Sequence, residues 1–161
     1  MESTFKAALW QQFGASIDML ENAILLCPNA LWDNEQKFWY NAYHCLFWLD
    51  YYLTLTPEQF SPPSGYSFSE FEPSGTLPER VYSKAELLSY LQHNRQKCQD
   101  VVLNMTHETA NSRWVNDYKN YSVLEILLYN MRHVQHHAAQ LNLILRQAIN
   151  DAPSWVAQAK K

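Results

Sequence analysis

Three histidines lie within five positions of the sequence, in the segment YNMRHVQHHAAQL. His133 and His137 are four residues apart, so on an α-helix they share one face, with Cβ atoms about 5–6 Å apart. At that separation both imidazoles can bind one metal ion at about 2.0–2.1 Å. His136 is rotated by about 100° from His137 and is expected to lie outside the pair. The spacing therefore indicates a two-histidine metal site on the last helix.

The residues around this pair narrow the kinds of metal site that fit. Val134 occupies the position at which H-E-x-x-H metalloproteases carry their general-base glutamate. Asn130, three residues before His133, stands where the E-x-x-H pairs of ferritin-like diiron proteins carry glutamate. Both a metalloprotease and a diiron protein are therefore poor interpretations of this sequence.

A stable site needs at least a third protein ligand, which must come from another helix. His44 lies in the segment YNAYHCLFWLDYYL, among aromatic residues expected on the same helix face. Taken alone, a histidine in such surroundings is typical of a hydrogen-bonded core residue. Beside a histidine pair that lacks a partner, it becomes the preferred third ligand. His93 and His107 occupy polar stretches and are expected at the surface.

Four segments with helical periodicity are expected to carry these residues. Apolar residues recur every three to four positions in residues 3–27 and 35–55, and a proline follows each segment within two residues. Two further segments, residues 83–105 and 122–150, begin with S-x-x-E capping boxes. No segment shows the alternation of a β-strand. The sequence therefore predicts an all-α protein with the architecture of a four-helix bundle.

The link between the second and third helices, residues 56–82, holds five of the seven prolines and two of the three glycines. A link of this length can span the bundle, so one long crossover between helices two and three is expected. Its aromatic residues are expected to pack against the helices: Phe60, Tyr66, Phe68 and Phe71. Residues 1–150 are predicted to form a single domain, and residues 151–161 a C-terminal tail.

Composition limits the expected partners. The net charge is −4 and the lysines and arginines are scattered, so no basic patch for nucleic acid is expected. There is no apolar run of 18 residues and no signal-peptide pattern, so we expect no membrane partner and a cytoplasmic location. Cys27, Cys45 and Cys98 lack C-x-x-C spacing and lie among apolar residues, which favours buried, reduced thiols.

One histidine in the second helix and H-x-x-x-H in the last resemble the DinB/YfiT-like metalloprotein superfamily. The resemblance covers nearly the whole chain and is carried by YNAYHCLFWLDYYL and SVLEILLYNMRHVQHHAAQL. It implies a divalent metal site formed by His44, His133 and His137, commonly with zinc or nickel, and often a homodimer. It also implies a metal that activates a low-molecular-weight thiol, as in bacillithiol- or mycothiol-dependent transferases and isomerases. Many members of the family have no assigned reaction.

Three neutral imidazoles leave a divalent ion with an open position, which is typical of a catalytic site. The expected function is a metal-dependent transferase or hydrolase that acts on a small organic substrate, with or without a low-molecular-weight thiol. The alternative is a non-catalytic, dimeric ligand-binding or structural helical module. Tyr43, Trp48 and Arg95 are candidates for substrate contact, although the first two also fit a core or supporting role. The stem of Arg95 also fits packing, with its charged head in water.

Overall fold

The computed structural model describes residues 3–160, and its long elements are all helices. The four long helices have these bounds: α1 (Ser3–Leu26), α3 (Phe38–Leu53), α4 (Lys84–Asn104) and α6 (Val123–Ile149). Two short α-helices lie in the connections, α2 (Asn29–Trp32) and α5 (His107–Asn111), and residues 56–82 contain two 3-10 turns, Pro57–Gln59 and Ser69–Phe71. The prediction of an all-α protein is confirmed. Within the described residues, no helix combines the length and the apolar character of a membrane span.

A small antiparallel hairpin precedes α6. The sequence pattern did not predict this hairpin. Strand β1 (Arg113–Val115) pairs with strand β2 (Asn120–Ser122), and Trp114 lies opposite Tyr121. Strands of three residues are too short to show a recognisable alternation of polar and apolar positions. The absence of strand alternation in the sequence is therefore compatible with this short hairpin.

The long helices pack side by side, each against two of the others. Helix α1 packs against α4 and α6, and helix α3 packs against the same two, so α1 and α3 lie diagonally. Asn94 of α4 donates to the carbonyl of Leu46 in α3, and Lys97, further along α4, donates to Asp50, further along α3. Helices α3 and α4 therefore run parallel. Consecutive parallel helices require a connection that returns along the bundle, which confirms the predicted crossover by residues 56–82.

Helix α3 is shorter than the predicted segment, residues 35–55. Its N-cap, Lys37, has a φ of 51°, a left-handed conformation that a regular helix cannot include, so the helix begins after it. Asp33 accepts hydrogen bonds from Lys37 Nζ at 2.9 Å and from Trp39 Nε1 at 2.7 Å. At the other end, Thr54 is extended, with ψ of 107°. These contacts set the start of the helix that carries His44.

The crossover loop packs against the helices through some of its aromatic residues. Tyr66 stacks on Tyr90 of α4 with ring centroids 4.4 Å apart, and Phe60 is buried. Phe68 and Phe71 remain about half exposed, at 48% and 47%. The expected packing is therefore confirmed for Phe60 and Tyr66 and is only partial for the other two.

The C-terminal segment, residues 151–160, lies along α1. Ala159 donates its backbone N–H to the carbonyl of Gln11 at 2.9 Å, and the backbone N–H of Lys160 donates to Asp18 at 2.8 Å. The predicted limits, 1–150 and 151–161, include Met1, Glu2 and Lys161, which lie outside the described residues.

Gly14 of α1 lies directly under this segment. A Cβ atom added at Gly14 would be 2.6 Å from the Cβ of Ala159. Glycine in a helix interior costs about 1 kcal/mol relative to alanine. The close approach of the C-terminal segment is the physical reason for a glycine at this position.

Replacing Gly14 by alanine is expected to displace the C-terminal segment without unfolding the helices. Overpacking typically costs about 1–3 kcal/mol, so we expect the undocked segment to become on the order of ten times more populated. Carboxypeptidase digestion measures this population as a faster release of the last residues. The double variant Gly14→Ala, Ala159→Gly removes the clashing atom and is expected to restore the slow release. Equal release rates in all three proteins would contradict the explanation.

Candidate metal centre

His44 of α3 converges with His133 and His137 of α6 in the space between the two helices. Ligand nitrogens of the three side chains all lie within 4.8 Å of one another. The Nε2 atoms of His133 and His137 are 3.1 Å apart, and the ring centroids of His44 and His137 are 4.7 Å apart. Two nitrogen ligands of one tetrahedral zinc ion are about 3.3 Å apart, given Zn–N distances of about 2.0–2.1 Å. The histidine pair of α6 therefore already has the separation of two ligands of one ion.

Packing of α6 against α3 sets the direction of these side chains. Asn130 is fully buried and donates to the carbonyl of Leu49 at 3.0 Å, which fixes the rotation of α6. Val134 and Ala138 are fully buried on the core face of the same helix. His133 and His137 lie at the edge of this face and are half-buried, whereas His136 is exposed and lies outside the cluster.

The environment of the α6 pair favours neutral imidazoles. Burial, followed by the neighbouring His137 and His44, lowers the pKa of His133 to about 3. Burial, followed by His44 and His136, lowers the pKa of His137 to about 4. Both side chains are therefore neutral at pH 7, which is the protonation state that binds metal.

The hydrogen bonding of this pair is incomplete. The two Nε2 atoms face each other, and neutral imidazoles can place at most one proton between them. His133 Nδ1 is buried and has no hydrogen-bond partner among residues 3–160. Buried polar groups normally have partners, so the pair is short of them. A divalent cation bound by both Nε2 atoms would replace the single proton that they share, and two imidazole nitrogens at this separation are a donor set that fits a divalent metal ion.

Glu70, in the 3-10 turn Ser69–Phe71 of the crossover loop, holds His44 in place. Its Oε2 atom accepts hydrogen bonds from His44 Nδ1 at 2.6 Å and from Trp48 Nε1 at 2.8 Å. The side chain is only 4% exposed. Burial alone raises the pKa of Glu70, but hydrogen bonds from His44, Trp48 and Tyr40 outweigh it, and the pKa is lowered.

An ionised carboxylate only accepts hydrogen bonds, so His44 carries its proton on Nδ1 and leaves Nε2 free for a metal. A carboxylate that orients a histidine ligand in this way is a common support of metal sites. Glu70 was missed by the sequence analysis. It lies in a loop without periodicity, 26 residues from His44 along the chain, and its spacing carries no signal.

Two of the residues proposed for substrate contact lie on α3. Trp48 lies beside the histidines, whereas the side chain of Tyr43 is not accessible. The ring centroids of Trp48 and His44 are 6.4 Å apart. Tyr43 is completely buried, and its hydroxyl donates to the backbone carbonyl of Ser67. The rotation of about 100° between adjacent helical residues turns Tyr43 into the core while His44 faces α6. The structure thus gives Tyr43 a packing role in place of the expected substrate contact.

Arg95 lies between α1 and α4, whereas the histidines lie between α3 and α6. Its guanidinium pairs with Asp18 at 2.7 Å and with Glu21 at 3.0 Å, and its side chain is 18% exposed. The expectation of an arginine free to meet a substrate anion is corrected by these two carboxylates, which already occupy it. The other expectation, a head that extends into water, does not describe it either.

All three cysteines are free and buried, as predicted. Burial raises the pKa of Cys27 to about 11, although Lys84 opposes the shift. Burial raises the pKa values of Cys45 and Cys98 still further. Cys45 is adjacent to His44 in the sequence but is enclosed in the core, so its thiol does not reach the histidine cluster.

Fold and site together define an all-α protein with a candidate three-histidine metal centre between two of its long helices. The family model of the DinB superfamily matches residues 12–141, a range that contains the three histidines and Glu70. The chain therefore belongs to the DinB superfamily, and the resemblance noted in the sequence is confirmed. No curated protein and no solved structure gives a significant match.

Proposed function

We propose that the protein binds one divalent metal ion through His44, His133 and His137 and uses it in a transferase or hydrolase reaction on a small organic substrate. The observation that carries this proposal is the convergence of three imidazoles, with ligand nitrogens within 4.8 Å of one another. Three histidine ligands leave an open position, as in catalytic zinc sites. When bound, a divalent ion lowers the pKa of a water or thiol ligand. Zinc and nickel are the proposed ions, because both suit imidazole.

The surrounding side chains support a site for organic chemistry. Glu70 orients His44 and keeps its Nδ1 protonated, which favours binding through Nε2. Trp48 and Tyr52 stack with ring centroids 5.6 Å apart and lie next to the histidines. Aromatic walls of this kind hold the apolar part of a small molecule and exclude water around it.

A low-molecular-weight thiol is the proposed nucleophile of the transferase form of the reaction. The cysteines of this chain are buried, so a reactive thiol has to come from solution. Support for a thiol comes from the resemblance to bacillithiol- and mycothiol-dependent proteins of the family. The same resemblance supports a homodimer, and the sequence supports a cytoplasmic protein without nucleic-acid or membrane partners. Light scattering of the purified protein tests the homodimer.

Metal analysis and thiol addition test the proposed reaction class. Protein purified without a metal-affinity tag is expected to contain about one zinc or nickel ion per chain. The nickel-loaded protein is expected to develop thiolate-to-nickel charge-transfer absorption with bacillithiol or glutathione, and to accelerate conjugation of monochlorobimane. The same protein treated with a chelator is the control. Protein that holds no metal, or metal that exchanges no ligand, would favour the structural-module alternative.

A further inference from the structure

The β1–β2 hairpin is fixed on α3, close to the histidine cluster. Trp114 of β1 is fully buried, and its Nε1 donates to the carbonyl of Thr54 at 2.9 Å. In the turn between the strands, Asn116 Oδ1 accepts the backbone N–H of Lys119 at 2.8 Å. Asn116 Nδ2 donates to the hydroxyl of Tyr51 at 3.1 Å. The turn, and the base of the Lys119 side chain with it, therefore has a defined position over α3.

Lys119 differs from the other lysines in residues 3–160. Each of the others donates to a carboxylate or carbonyl oxygen: Lys6, Lys37, Lys84, Lys97 and Lys160. The Nζ atom of Lys119 forms no salt bridge within the described part of the chain. It lies 5.1 Å from the ring centroid of Tyr129 and 5.7 Å from that of Tyr52. Lys119 is half-buried as a residue, and its ammonium group is available to an anion from outside.

A cavity of about 380 Å³ lies between the turn and α3. Its volume is within the range of small-molecule sites, about 300–1,000 Å³. Trp48 and Tyr52 belong to its lining and also face the histidines. The ring centroid of Trp48 is 6.4 Å from that of His44, and the ring centroid of Tyr52 is 6.1 Å from that of His133. The cavity and the candidate metal centre therefore share an aromatic wall.

The rest of the lining combines exposed rings with few charges. Phe71 is 47% exposed and Tyr118 is 88% exposed, so both rings present apolar surface at the cavity. The lining contains one carboxylate, Asp117, which lies on the exposed part of the turn and does not pair with Lys119. Lys119 is half-buried and contributes a positive charge to the lining. An aromatic cavity with such a cation fits a ligand that has a flat apolar body and a negative group.

We infer that this cavity binds an organic anion, an aromatic or conjugated carboxylate, whose charge pairs with Lys119 and whose apolar part lies against Trp48 and Tyr52. The inference deepens the proposed function and rests on it in one respect, since it names the chemistry of the substrate or thiol co-substrate that meets the metal. Binding of the anion itself needs no metal, because Lys119 and the aromatic wall belong to the chain. Anion binding and metal binding can therefore be measured separately.

Benzoate and its neutral analogue benzamide test the cavity in the full-length protein, before and after chelation of metal. Titrations are followed by the indole N–H resonance of Trp48. We expect benzoate to bind more tightly than benzamide, and Lys119→Met to weaken benzoate roughly tenfold while benzamide binds as before. Lys119→Arg is expected to retain most of the benzoate affinity. Lys6→Met removes the same charge at the start of α1 and is expected to leave both affinities unchanged.

Competition with glutathione distinguishes a carboxylate of the thiol co-substrate from a carboxylate of the second substrate. Displacement of benzoate by glutathione would assign the site to the thiol co-substrate, and simultaneous binding would assign it to the second substrate; both results support the anion site. Equal affinity for benzoate and benzamide, an unchanged benzoate affinity in Lys119→Met, or no benzoate binding by the wild-type protein would overturn it. Wild-type protein that binds benzoate but takes up no zinc or nickel when either ion is supplied would overturn the proposed reaction and leave this inference intact.

Discussion

Alanine in place of His44, His133 or His137 is expected to lower the affinity for zinc or nickel several hundredfold, and His136→Ala is expected to leave it unchanged. Structural zinc sites with four ligands are worth about 10–16 kcal/mol, so one ligand carries roughly 2.5–4 kcal/mol. The first three side chains have ligand nitrogens within 4.8 Å of one another, whereas His136 is exposed and outside that cluster. Loss of any one of the three leaves two ligands, which is too few for a stable site.

Competition with a chromophoric chelator measures these affinities, and elemental analysis of untagged protein measures the metal content. The three histidines are half-buried, and alanine has the highest helix propensity, so the variants are expected to remain folded. Far-ultraviolet circular dichroism checks this. If His136→Ala removed the metal while His133→Ala retained it, the helical phase from which the site is inferred would be wrong.

The arrangement of the histidines could be predicted from the sequence, because the spacing of apolar residues shows which face of a helix is buried. Val134 and Ala138 are fully buried on α6, and their positions place His133 and His137 at the edge of the same face. The start of that helix was equally accessible, because Ser122 accepts a hydrogen bond from the backbone N–H of Glu125 as its capping pattern predicts. Such features depend on residues three or four positions apart, which the sequence displays directly.

Features that depend on partners distant in the sequence could not be predicted. Arg95 was a candidate for substrate contact because it interrupts an apolar stripe, but its partner Asp18 comes from another helix. Glu70 reaches His44 from a loop whose path is determined by packing, and loops carry no periodic signal. The hairpin that places Lys119 was missed for a similar reason, since its anchoring contact joins Trp114 to Thr54, 60 residues away.

Replacing Glu70 by glutamine is expected to weaken metal binding by about 10- to 100-fold, the usual cost of losing an orienting partner of a metal ligand. Glutamine has the same shape but no negative charge. The carboxylate now accepts from both His44 Nδ1 and Trp48 Nε1 on one oxygen. A neutral amide oxygen accepts these bonds more weakly, and its NH₂ group in the flipped orientation would oppose the two donors. The imidazole of His44 is then held less firmly and is a weaker ligand for a cation.

Glu72→Gln is the matched control, because Glu72 is exposed in the same loop and the substitution removes the same charge. A long-range electrostatic effect would weaken metal binding about equally in the two variants, whereas orientation of His44 weakens it only in Glu70→Gln. The Nδ1 proton resonance of His44 supplies a readout that a merely structural role would not change, since its position depends on the short bond to the carboxylate. Metal affinity in Glu70→Gln that equals the wild-type value, with that resonance unchanged, would show that the loop packs against the site without holding its ligand.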